Sequence, residues 1–154
     1  MSSIAKDAND LLPELVRIRR ELHQIPEFGL RLPKTQQYLL DQINHLGEIT
    51  LGKDLSSIVL TIDSGSPGPT VLLRADMDGL AVEEENELPY KSMNGFMHAC
   101  GHDLHMASAI GAARMVSQRK SEFKGKVAIW FQPGEEGHGG ADLMIEEGAL
   151  EITG

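Results

Sequence analysis

The spacing of apolar residues changes period along this chain, and that change limits the fold to one class. Over 10–24, Leu11, Leu15, Ile18 and Leu22 recur at steps of four, three and four, with Glu14, Arg17 and Arg20 between them. This predicts an amphipathic helix. It should stop near Ile25-Pro26, because proline restricts the residue before it and cannot donate to a continuing helix. A second helix is expected over 34–45, after Pro33, with Leu39, Leu40, Ile43 and Leu46 as its buried stripe and Gly47 as its stop. From residue 57 the pattern shortens. The stretches 57–62 and 70–75 are aliphatic, β-branched runs joined by the turn formers 63–69, and they read as neighbouring strands. The second is apolar almost throughout, which predicts burial on both faces. A helix over 104–118 has Ala107, Ala109, Gly111 and Ala112 on one side and should lie close against the sheet. A strand over 126–131 and a short helix over 140–147 complete an order that argues for layered α/β architecture.

Size and charge narrow the function classes. A chain of 154 residues, 41% hydrophobic and 24% charged, fits one globular domain. Its formal net charge of -9 repels phosphate backbones and anionic lipid, so neither nucleic acid nor a membrane is an expected partner. No stretch approaches the roughly 20 apolar residues of a membrane-spanning helix. Cys100 is the single cysteine, which excludes an internal disulfide; with no charged-then-apolar leader in view, a cytoplasmic location is expected.

Three polar clusters fall where a predicted strand ends or a helix begins, the usual functional rim of an α/β sheet. They are 74–79 with Asp76 and Asp78, 98–105 with His98, Cys100, His102, Asp103 and His105, and 132–138 with Glu135, Glu136 and His138. The second is the sharpest, because thiolate, imidazole and carboxylate are all transition-metal ligands. Side chains two apart on a regular helix diverge, so Cys100 and His102 can share a metal only if 99–102 is a loop, for which Gly101 gives the freedom. Asp103 can then cap the next helix or hold a ligating histidine. Cys100 alone would more simply be a small core residue, and His105 can face solvent. Glu135 and Glu136 are either a solvated rim or a pair that divides metal binding from proton transfer. Asp76 and Asp78 could orient a ligand or cap helix amides. The 22–27 stretch with His23 reads as a polar helix end without a catalytic role.

At these clusters the sequence resembles the M20 family of metallopeptidases and amidohydrolases, in the branch of hippurate hydrolase, N-acyl-amino-acid amidohydrolases and hydrolases of auxin–amino-acid conjugates. The matching stretches are Leu22-His23-Gln24-Ile25-Pro26-Glu27, Leu73-Arg74-Ala75-Asp76-Met77-Asp78-Gly79-Leu80, Met97-His98-Ala99-Cys100-Gly101-His102-Asp103-Leu104-His105 and Phe131-Gln132-Pro133-Gly134-Glu135-Glu136. The resemblance implies a three-layer α/β/α catalytic domain. It places metal ligation on Cys100, His102 and Glu136, the general base on Glu135 and a ligand-orienting role on Asp78. Asp76 stands where other branches have a metal-binding histidine, which leaves its role open. The implied reaction is metal-dependent hydrolysis of the amide bond of N-acyl amino acids, with two divalent ions, zinc, manganese, nickel or cobalt, in full-length relatives.

Relatives in that family are more than twice as long, with an inserted dimerisation domain and further metal-binding histidines beyond the stretch present here. The chain is therefore expected to be the amino-terminal portion, 1–154, of the catalytic domain, incomplete and with little or no activity alone. An exposed sheet edge and apolar face are expected with it. The other class of function is a non-catalytic metal-binding or protein-interaction fragment.

Overall fold

The computed structural model describes residues 3–153. Along the chain come α1 (Ser3–His23), α2 (Pro33–Ile43), β1 (Glu48–Leu51), β2 (Ile58–Asp63), β3 (Thr70–Asp76), α3 (His102–Ser117), a 3-10 turn (Lys120–Glu122), β4 (Lys126–Gln132), α4 (Gly140–Glu146) and α5 (Ala149–Thr153). The four strands form one sheet in the order β1-β2-β4-β3. β1 and β2 are antiparallel, β2 and β4 are antiparallel, and β3 runs parallel to β4. In that parallel pair Asp76 lies opposite Gln132, so the segments that follow both strands leave the sheet at the same end.

Alternation along the strands sorts their side chains into two layers. Leu60, Ile62, Ile129 and Phe131 face Ile18, Leu22, Leu39, Ile43, Met106 and Ile110 of α1, α2 and α3. Val59 and Trp130 face the other way, against Met144 of α4 and Ala149 of α5. The predicted three-layer α/β/α arrangement is the one that forms. Gly111 sits at the α1 contact, not the sheet: a Cβ there would lie 2.8 Å from Leu15 Cδ1. Its smallness serves helix-to-helix approach.

Two expectations about the strands are corrected. The 57–62 and 70–75 runs are not neighbours, because β4 lies between them. The 64–69 connection instead passes over the start of β4, where Ser64 N–H donates to the Gly125 carbonyl and a Cβ on Gly125 would collide with the Pro69 carbonyl. Nor is β3 buried on both faces. It is the sheet's edge, and Val71, Leu72 and Leu73 are 55%, 43% and 38% exposed. An apolar composition suited to a covered parallel strand thus meets solvent, and the expected exposed edge is present.

Two elements, and the first turns of a third, carried no usable signal. β1 is four residues of mixed character, and α5 is a single short turn of helix. α1 starts at Ser3 instead of near residue 10 and contains Pro13, because its first turns rest on helix formers such as Ala5 and Lys6 without an apolar stripe. Among the described residues no helix is long and apolar enough to cross a membrane.

Candidate metal centre

The start of α3 presents the first two groups. Gly101, at φ 84°, caps the helix in the left-handed region, so the chain turns sharply between Cys100 in the preceding turn and His102 in the first helical position. The loop required for the two side chains to converge is present. Cys100 is exposed, not a core residue, and His102 is 3% exposed. The third group comes from the turn after β4. Gly134, at φ 71°, reverses the chain where a Cβ would strike Leu30, and Glu135 and Glu136 follow at once.

Asp78, just beyond β3, ties these pieces together. Its carboxylate accepts the Glu135 N–H at 3.1 Å on one oxygen and the Glu136 N–H at 3.0 Å on the other. Its own carbonyl lies 2.8 Å from His102 Nδ1. That contact fixes the ring and leaves Nε2 free to face the glutamates, 3.7 Å from Glu135 Oε2 and 3.9 Å from Glu136 Oε1. One donor atom from each of Cys100, His102 and Glu136 lies within 4.8 Å of the others. Glu136 Oε1 is buried without a hydrogen-bond partner among the described residues. A soft thiolate, a borderline imidazole and a carboxylate with an unsatisfied oxygen suit a divalent transition-metal cation.

The electrostatics agree with that chemistry. Burial pushes the Asp78 carboxyl up, but hydrogen bonds from His102 and from the Glu136 and Glu135 amides outweigh it, so the group sits below its usual range. Burial likewise works against charge on His102, and Asp78 and Asp76 overturn it and raise the imidazole. The Cys100 thiol is raised by its hydrogen bond to Glu136 and by that carboxylate's charge. A cation between them would invert this, favouring the thiolate.

A second group, Asp76, His102 and His105, also meets the spacing of metal ligands. It shares His102 with the first, and Asp76 is already engaged by Arg74 at 2.9 Å and by His105 Nδ1 at 3.2 Å. Asp76 therefore has its counter-charge from the chain. His105 is half exposed but tied to Asp76, so it does not simply face solvent. His98 lies outside both groups, with its pKa pushed down to about 4 by burial.

Two sites differ from the sequence reading. Asp103 lies inside the first turn of α3, where Gly101 holds the cap position without a side-chain cap bond; one of its oxygens accepts the Leu104 N–H at 2.9 Å and the other meets no ligating histidine. It meets His23, which is 2% exposed where a polar helix end was expected. Nothing in the local sequence around His23 announced this, since its partners Asp103 and Glu84 lie 80 and 61 residues away.

Comparison with known proteins adds to this geometry. The profile of peptidase family M20/M25/M40 matches residues 72–153. The chain is 44% identical over 139 residues to the N-acetyldiaminopimelate deacetylase of Oceanobacillus iheyensis, covering 88% of this chain and 37% of that protein. It is 38% identical over 155 residues to the thermostable carboxypeptidase 1 of Saccharolobus solfataricus, covering 97% of this chain and 39% of that one. Among solved structures, the Bacillus subtilis YXEP protein, described as a dinuclear metal-binding peptidase, superposes with a TM-score of 0.86 at 36% identity, over 92% of this chain and 41% of that one. The chain thus spans roughly two fifths of the length of these relatives.

Proposed function

Because this chain belongs to peptidase family M20/M25/M40, we propose that it supplies the metal-holding and proton-transferring part of an amidohydrolase that cleaves the amide bond of N-acyl amino acids. The observation that carries this is the convergence of Cys100, His102 and Glu136 within 4.8 Å, with Glu136 Oε1 left unpaired. In this reading these three side chains hold a divalent cation, zinc, manganese, nickel or cobalt. When bound, such a cation supplies Lewis acidity toward an amide carbonyl and lowers the pKa of water.

The chain's own groups do the rest. Glu135, whose side chain is 39% exposed beside His102, takes the proton from the attacking water and returns it to the departing amine. The water oxygen bonds to the carbonyl carbon, the C–N bond breaks, and a carboxylic acid and an amino acid leave. Asp78 holds both glutamate amides and His102 in register. A relative named as a deacetylase of N-acetyldiaminopimelate supports an N-acyl amino acid as substrate. The neighbour described as dinuclear supports a second ion, whose remaining ligands lie outside Cys100, His102 and Glu136. Residues 1–154 then form the amino-terminal portion of the catalytic domain of a homo-oligomeric, cytoplasmic enzyme.

Equilibrium dialysis against zinc tests the first step. We expect one tightly held cation per chain, retained by Glu135→Gln and weakened about 100-fold or more by Cys100→Ser or Glu136→Gln. In any polypeptide containing this chain that turns over N-acetyl amino acids, Glu135→Gln should lower the rate by roughly 10²–10⁴. Zinc held equally well after Cys100→Ser would sink the reading. The exposed β3 edge supports a second one, a metal-binding interaction fragment, for which no polypeptide containing the chain hydrolyses these amides.

A further inference from the structure

A buried ionisable network lies outside the metal-holding cluster. Each ring nitrogen of His23 faces a different carboxylate: Nδ1 is 2.7 Å from Asp103 Oδ2, and Nε2 is 3.1 Å from Glu84 Oε1. Asp103 is fully buried and Glu84 is 5% exposed. Arg19 lies 2.8 Å from the same Asp103 oxygen, yet its Nε–H makes no aligned hydrogen bond, so the aligned contact there is to His23. Glu84 in turn accepts the Ser92 N–H at 2.7 Å and pins the irregular 81–97 segment from within. The Tyr90 ring packs edge-on against His23 and lies under both Arg19 and Arg20. Burying ionisable groups to this extent is costly unless every one is engaged, and here the engagement converges on one imidazole.

What this network touches is the frame of the candidate centre. Asp103 is the residue after His102, and its other oxygen holds the Leu104 N–H in the first turn of α3. From the opposite side, the chain that continues from His23 lays the Glu27 carbonyl against the Gly79 N–H at 2.8 Å, and Phe28 bridges to Gly79. Gly79 follows Asp78, whose carbonyl takes His102 Nδ1. Both supports of the His102 ring, the helix start that carries it and the carbonyl that orients it, therefore hang on residues 23–28.

We propose that His23 is a positioning residue for the metal-holding cluster: through Asp103 it fixes the first turn of α3 and so the direction in which His102 presents Nε2. The proposal rests on the metal reading of Cys100, His102 and Glu136 and deepens it. The contact to Glu84 has the separate task of anchoring the 81–97 segment.

The two arms can be cut one at a time, since an asparagine amide nitrogen falls near the place of Nδ1 and a glutamine amide nitrogen near that of Nε2. His23→Asn keeps a donor for Asp103 and loses Glu84, whereas His23→Gln does the reverse. The 154-residue chain and both variants are titrated with Co(II) against a competing chelator. The near-ultraviolet thiolate-to-cobalt band reports Cys100 ligation, the visible bands report geometry at the ion, and thermal unfolding is followed in parallel. We expect His23→Gln to weaken Co(II) by about tenfold or more and to alter the visible bands, in line with the 10–100-fold effects of groups that support metal ligands. His23→Asn should restore the affinity of the unsubstituted chain within about threefold while still losing thermal stability. Asp103→Asn, which keeps its shape and its bond to the Leu104 N–H, should weaken Co(II) like His23→Gln and decides the matter if the latter does not fold. Unchanged affinity and spectra in His23→Gln, or in Asp103→Asn, with the thiolate band intact, overturn the positioning role alone. Absence of that band in the unsubstituted chain overturns the metal reading, and the positioning role with it.

Discussion

Asp78 joins two separate stretches of chain while exposing 1% of its surface: two adjacent backbone amides after β4 on its carboxylate and the His102 ring on its carbonyl. Replacing it by alanine leaves two part-buried amides without their acceptor, at a cost of about 1–3 kcal/mol for each fully desolvated group. Urea unfolding of Asp78→Ala should show that loss, with Met77→Leu beside it costing less than about 1.5 kcal/mol. Glu84 sets a pH dependence. Burial alone would raise its pKa, but the Ser92 N–H, His23 and Asn86 outweigh that and bring it below the ordinary 4.5. A group with a depressed native pKa contributes stability that is present above 4.5 and disappears as pH falls through the native value. Glu84→Gln should therefore flatten the acid side of the stability profile below about pH 5, read from urea midpoints, and leave its slope above pH 6 unchanged. At this scale the sequence disclosed ligand-like residues because they lie close together, as with Cys100 and His102, or in a recognisable motif, as with Glu135 and Glu136. It did not disclose the task of His23, since an imidazole's role depends on which distant carboxylates fold against it.

The helices were legible because their apolar stripes repeat within a few residues; α2 was expected over 34–45 and spans Pro33–Ile43. Strand identity was equally visible for β2, β3 and β4. Strand adjacency was not, because a run of β-branched residues states that it wants a neighbour without stating which. The same limit applies to small residues in α3, where period alone could not tell whether the sheet or a helix sits against Gly111. The contact with Leu15 makes a prediction at this level. Gly111→Val should destabilise the α1–α3 packing by about 1–3 kcal/mol, and adding Leu15→Ala should recover part of the loss, because the two side chains compete for one space. Thermal unfolding of the two single variants and the double variant measures that coupling. A purely additive result would mean that Leu15 moves aside at no cost.

For the molecule as a whole, the outstanding surface is β3. It is apolar, lies at the edge of the sheet and exposes Val71, Leu72 and Leu73, the kind of strand that pairs with another chain unless something blocks it. We expect the chain to self-associate as its concentration rises, and Leu72→Lys to shift sedimentation velocity profiles toward monomer without lowering helical content. Composition predicted a covered strand because a parallel, aliphatic run is ordinarily sandwiched, and no reading of one segment reports whether its cover is supplied. The position of β4 has a further consequence. Of the four described strands it comes last in sequence, yet it occupies an interior place between β2 and β3. A nascent polypeptide leaving the ribosome must keep those two earlier strands apart, and Glu136 away from Cys100 and His102, until residues 126–132 have emerged. Such delayed, non-local closure is slow and leaves aliphatic strands open to the cell meanwhile. Until residues 126–132 emerge, the inner edges of β2 and β3 stand open to chaperones or to other copies of the chain.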